Sequence, residues 1–141
     1  MTRINIVEPS ELTDQHLIAE YREIFMVGSS LQRSLKSKNW NPKDIPIKFT
    51  LNTGHVKFFY DKGKYLSKRY DKLREEMKAR GMTPDPVRVF KKEQWSNELW
   101  NDWTPTLEDY KIIRQRIEER ISMKPNWYRK TNMDKRKGNG S

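Results

Sequence analysis

The chain has 141 residues and suits one domain with a modest core; it contains no cysteine, which excludes a disulfide framework and a thiolate metal site. Lys and Arg outnumber Asp and Glu by 29 to 19, and the resulting formal charge of +10 favours an acidic polymer as partner, bound in part through counterion release. No apolar run approaches membrane-spanning length, and the start MTRINIVEPSEL lacks a long apolar stretch, so a soluble, cytoplasmic protein without a membrane partner is expected.

In chain order, a first helix is expected from Ser10 to about Leu35, with Ser10 or Thr13 as N-cap after Pro9. Leu17, Tyr21, Ile24, Gly28 and Leu31 fall three and four residues apart and form its buried stripe. Leu12, His16, Ala19 and Glu23 form a second row, which sets a histidine and a carboxylate on one face with a small residue between them. Residues 36–54, rich in Pro, Asn and Lys, are expected to form a long connection. HVKFFYDK follows, too dense in aromatics to be exposed throughout.

A second helix is expected from Asp61, as its cap, to about Arg80. Its stripe is Leu66, Tyr70, Leu73 and Met77, its basic row Lys64, Lys68 and Lys72, and its terminator Gly81 in the left-handed conformation. Residues 82–105 carry Trp95, Trp100 and Trp103 among prolines and are expected to pack irregularly over the core. Thr106 and Asp109 resemble a capping box, which opens a third helix over Leu107–Ser122. Ile113, Ile117 and Ile121 line its apolar face, and Ile112, Arg116 and Arg120 the row beside it. The fold class is therefore all-α, a single compact domain over 1–130 with three main helices and long irregular connections, followed by a basic, disordered tail over 131–141.

The sequence has no P-loop, dinucleotide glycine fingerprint, HExxH pair or nucleophile elbow, and its two histidines, His16 and His55, make a poor metal site. Chemistry without metal or cofactor is expected. Thr2 is small enough for Met1 to be removed before it, and an α-amino group titrates near 7.7–8.0, roughly, so an appreciable fraction is neutral and nucleophilic at physiological pH. Neither this amine nor Glu23 is persuasive from its own chemistry, since many proteins begin Met-Thr and a helix glutamate commonly serves as an ion-pair partner.

Four blocks occur in order: MTRIN, SELTDQHLIAEYRE (10–23), GHVKFFYDK (54–62) and RIEERISMKPNWYRK (116–130). Together they resemble the pyrimidine-dimer DNA glycosylases of the T-even phage endonuclease V type, collinear to about Lys130 with 82–105 poorly matched. The resemblance implies a single all-α domain that binds lesion-bearing double-stranded DNA as a monomer. It also implies excision of the 5′ base of a cyclobutane pyrimidine dimer and strand scission at the abasic site. Thr2 matches the family's amine nucleophile and Glu23 its carboxylate. Arg3 and Arg22 match phosphate binders near the lesion, and Arg116 and Arg120 the basic pair of the last helix; a solvated face paired with Glu119 and Glu23 is the alternative for that pair. Gln15, His16 and Tyr21 match the lining of the lesion site, with a polar core as the alternative for the last two. Trp127 and Tyr128 match the start of the C-terminal aromatic motif, with Lys124 among the basic residues around it.

Two departures bear on substrate. Met26 stands where the phage prototype has an arginine, and Arg129, Lys130 and Thr131 replace further tyrosines, while 124–141 carries six basic residues against one acidic. These departures leave open a glycosylase and lyase for another damaged base; a catalytically silent DNA-binding homologue that retains the fold and basic surface is a further alternative.

Overall fold

The computed structural model describes residues 3–131. Among them five helices follow one another: α1 (Asp14–Glu23), α2 (Phe25–Leu35), the single turn α3 (His55–Phe58), α4 (Gly63–Ala79) and α5 (Leu107–Met123), joined by loops and short 3₁₀ turns. No strand occurs among the described residues, so the all-α class holds. The tail beyond Thr131 lies outside them.

The expected first helix is divided. Pro9–Glu11 forms a separate 3₁₀ turn, and the extended Thr13 is the cap, its hydroxyl oxygen accepting the His16 backbone N–H at 3.1 Å. At Ile24 the hydrogen bonding tightens: the Ile24 N–H still donates to Glu20 O at 2.9 Å, but the Val27 N–H turns to Ile24 O, three residues back, at 3.4 Å. The stripe survives the interruption, because Leu17, Tyr21, Ile24, Gly28 and Leu31 are all buried. Gly28 also permits a close approach, since a Cβ there would lie 2.2 Å from the Gln94 side-chain oxygen.

α4 buries Leu66, Tyr70, Leu73 and Met77, as its periodicity requires. Asp61 is not its cap; it closes the preceding 3₁₀ turn and pairs with Lys62 at 2.7 Å. The helix ends as the glycine demands. Gly81 takes φ 86°, its N–H donates to Lys78 O, and the Met82 N–H donates to Met77 O, the paired closure of a Schellman motif. α5 opens on a reciprocal capping box, with Thr106 Oγ1 accepting from the Asp109 N–H and Asp109 Oδ2 accepting from the Thr106 N–H.

Residues 82–105 wrap the core without a long helix. Trp95 is buried, Trp103 packs among Phe49, Phe58, Phe59 and Tyr65, and a Cβ on Gly63 would lie 2.7 Å from the rings of both Trp95 and Trp100. These tryptophans serve packing.

α1 and α4 are joined by charge as well as by apolar contact. Glu20, fully buried on α1, receives two hydrogen bonds from the Arg69 guanidinium of α4, at 2.6 and 3.0 Å. Arg80 is buried too, donating to Glu76, Asp14 and the carbonyls of Pro9 and Leu12. Each guanidinium is thereby compensated, which a buried charge requires.

Candidate active site

The second row of α1 fulfils its spacing. His16, Ala19 and Glu23 line a cleft together with the buried Glu20, with Arg3 and Asn5 of the N-terminal segment, and with Arg116, Ile117 and Arg120 of α5. Tyr128 completes the lining, its ring stacked on His16 with centroids 4.7 Å apart and planes 6° from parallel. Ala19 keeps the wall between histidine and carboxylate low, and Ile117 anchors α5 between its two arginines.

Four elements of the fold hold the N-terminal segment in place. An Arg3 guanidinium N–H donates to Leu51 O at 3.0 Å, the Ile4 N–H to His55 Nε2 at 2.9 Å and the Asn5 N–H to Glu20 Oε1 at 3.0 Å, and Val7 O accepts from Arg69. Between these anchors Ile6 takes φ 51°, and the Val7 N–H closes a tight turn onto Asn5 O. A β-branched residue in the left-handed region is strained, and the surrounding hydrogen bonds hold it there.

Burial raises the Glu23 carboxyl above the ordinary carboxylate range; Arg3 opposes the shift and the Glu20 charge reinforces it. Burial likewise lowers the Arg3 guanidinium, helped by repulsion from Arg116 and Arg120 and opposed by Glu23. The His16 imidazole is lowered first by burial and then by Arg120, which favours its neutral form at pH 7. Three arginines thus converge on a cleft containing Glu23. Neither Arg116 nor Arg120 forms an ion pair within 4 Å among the described residues, so Glu119 and Glu23 do not take the pairing role considered for them.

The remaining sequence candidates divide. Thr2 lies outside the described residues. Gln15 is turned to the chain end: its amide N–H donates to Trp127 O at 2.7 Å and its carbonyl accepts from the Arg129 N–H at 2.9 Å. Asp14 adds to this clamp, accepting from the backbone and hydroxyl of Thr131. Tyr21 is not brought to the cleft; it is buried, stacks on Tyr70 and donates to Asp85 O, the polar-core role that was its alternative. Arg22 is exposed and borders a separate groove with Tyr21, Thr83 and Arg88. Lys124 and Trp127 lie exposed past the end of α5, the ammonium 5.8 Å from the ring centre, and Met26 is exposed on α2.

Asn5, Glu20 and His55 join these residues without having stood out in the sequence. Glu20 carried a signal, since it sits within the apolar stripe between Leu17 and Ile24, a place where a carboxylate demands a buried partner. Asn5 and His55 carried none, because their partners lie 15 and 51 residues away. Among the described residues no group of three His, Cys, Asp or Glu could hold a metal ion, and no helix is long and apolar enough to cross a membrane.

Fold and cleft together define a small all-α protein in which one carboxylate-bearing cleft is lined by three arginines. A family model described as pyrimidine dimer DNA glycosylase matches residues 1–88, more than half of the chain. The protein belongs to that family, and is thereby a DNA-repair glycosylase that binds damaged DNA. The matched span carries Arg3, His16 and Glu23; α5 and Tyr128 lie beyond it, folded onto it across the cleft.

Proposed function

We propose that this protein excises the 5′ base of a cyclobutane pyrimidine dimer in duplex DNA and then cleaves the strand at the resulting abasic site, using the Thr2 amine as nucleophile and Glu23 as proton carrier. The observation that carries the proposal is that Arg3 and Glu23 line one cleft. Once Met1 is removed, covalent geometry alone confines the Thr2 nitrogen to within about 5 Å of the Arg3 Cα. The attacked sugar is then held in the same cleft, against Glu23.

The neutral amine attacks C1′ of the deoxyribose as the glycosidic bond breaks and the base departs with the bonding electrons and a proton. Opening of the sugar leaves an imine between the amine and C1′. The imine acidifies the C2′ hydrogen; Glu23 accepts that proton, the new C2′–C3′ double bond forms, and the 3′ phosphate leaves by β-elimination. A carboxyl displaced upward is better matched to proton transfer near neutral pH than an ordinary one, and its charge also stabilises the cationic sugar. These residues supply nucleophile, base and phosphate binding without metal or cofactor.

Arg3, Arg116 and Arg120 take the phosphates flanking the lesion, where guanidinium forks suit phosphate oxygens. His16 and Tyr128 form an aromatic wall against which an opened base step can rest, with Lys124 and Trp127 at its rim and Arg22 on a more distant phosphate. Gln15 serves this wall indirectly, by holding the backbone on either side of Tyr128. The Glu23→Gln variant keeps the shape and loses the ionisable group. It should bind a dimer-containing duplex as the wild type does and lose most base excision; near-normal excision would refute the role of Glu23. Equal cleavage of dimer-bearing and other lesion duplexes would move the activity to a different base.

A further inference from the structure

His55 is 1% exposed, at the start of α3, and both ring nitrogens are committed. Its Nδ1 lies 2.9 Å from Thr50 O, and a carbonyl can only accept, so Nδ1 carries the hydrogen. Its Nε2 therefore bears the lone pair, and the Ile4 N–H donates to it at 2.9 Å. Phe49 and Phe59 meet the ring edge-to-face, at 5.6 and 5.4 Å, and fix its orientation. The loop that receives the Nδ1 hydrogen also receives the Arg3 guanidinium, at Leu51 O. Thus one short stretch, 50–55, ties down the two residues that follow Thr2.

We propose that His55 is a positioning residue for the N-terminal amine: as a neutral acceptor for the Ile4 N–H, it sets the path of the chain entering the cleft and hence where the Thr2 nitrogen can reach. The inference rests on the reading of Thr2 as nucleophile. Other backbone anchors of the segment act further along the chain, at Asn5 and Val7, with the strained Ile6 between them. The Ile4 bond fixes the backbone only two residues from the amine. Misplacement of a nucleophile by about 1 Å costs on the order of a hundredfold in rate, whereas phosphate binding by Arg116 and Arg120 does not depend on it. Protonation of His55 would remove the acceptor and set an N–H against the Ile4 N–H, with the cationic Arg3 as the charged group acting on it. Burial holds the imidazole down to about 4, so the acceptor form is the working form at neutral pH.

The test separates imine formation from binding. The proteins are full-length chains whose Thr2 N-terminus is verified by mass, and the substrate is a duplex with one abasic site. Single-turnover formation of the borohydride-trappable adduct gives the rate, and fluorescence anisotropy without borohydride gives Kd. His55→Phe keeps the aromatic shape and removes both hydrogen bonds; it should slow adduct formation by about a hundredfold, with Kd changed by no more than a few-fold because only Arg3 among the phosphate-binding arginines touches this loop. His55→Gln, whose side-chain oxygen can accept near the Nε2 position, should recover most of the rate. His55→Asn, which restores only the donor to Thr50 O, should not. Wild-type rates in His55→Phe, or equal losses in the Gln and Asn variants, would overturn the inference while leaving the amine mechanism standing. Should His55→Phe fail to fold, the Gln and Asn pair decides, together with the scalar coupling between the Ile4 and His55 Nε2 nitrogens in the ¹⁵N-labelled wild type. Absence of that coupling would also overturn the inference. A wild-type protein that forms no adduct overturns the amine mechanism and this inference with it.

Discussion

Replacement of His55 by glutamine should remove a loss of folding stability that the wild type suffers on acidification. The imidazole titrates near 6.5 when free and is lowered to about 4 in the folded protein, chiefly by burial. The unfolded chain therefore binds the proton more readily, and acid draws the equilibrium toward it. The contribution is fully present above about pH 6.5, declines as pH falls toward 4 and levels off below. At about 1.4 kcal/mol per unit of displacement, the window corresponds to roughly 3 kcal/mol, a large part of a small domain's stability. Urea unfolding free energies of the wild type and His55→Gln, measured from pH 7 to pH 4 at constant ionic strength, isolate the effect, because carboxylates common to both proteins cancel. The wild-type free energy should fall by roughly 3 kcal/mol relative to that of His55→Gln between pH 7 and pH 4. Parallel curves would show that His55 is not held neutral, and would refute the hydrogen bonding assigned to its ring.

Other consequences follow from charges that are, respectively, buried and open. Glu20→Gln leaves the Arg69 guanidinium buried without its counter-charge, and should cost about 3–5 kcal/mol in chemical unfolding; a loss within 1 kcal/mol or so would mean that the pair is more hydrated than its burial implies. Arg116→Ala and Arg120→Ala should each weaken binding to lesion and undamaged duplexes alike. Each should also reduce the slope of log K against log salt by about 0.9 for every phosphate that is no longer neutralised, which anisotropy titrations at several salt concentrations would read. Unchanged slopes would remove both residues from the DNA interface.

Local chemistry was the part of this fold most legible in the sequence. Gly81 after the α4 stripe, the Thr106 and Asp109 pair before α5, and Leu17 through Leu31 at helical spacing each produce their feature through near neighbours. The interruption at Ile24 had no such mark, since neither Gly nor Pro stands there and the buried stripe continues through it. In the cleft, His16 and Glu23 were readable together because a single helix carries both. Their meeting with Arg116 and Arg120 depends on α5 docking across some hundred residues, and only the resemblance of whole blocks connected them. Tyr21 shows how resemblance can outrun geometry: it lies in the same block as Glu23 but on the opposite side of α1, where it stacks on Tyr70. Gln15 shows the same in a milder form, with its amide spent on the chain end. The clamps on Arg3, Ile4 and Asn5 were illegible because backbone groups are present at every position and leave no pattern in residue type.

Attack of the Thr2 amine on DNA is tested most directly by borohydride reduction during reaction with a dimer-containing duplex and with an abasic duplex, followed by mass mapping of the adduct. A stable protein–DNA adduct is expected on both substrates, located on the peptide that begins at Thr2. An adduct on a lysine, or no adduct from protein whose N-terminus is verified as Thr2, would contradict it.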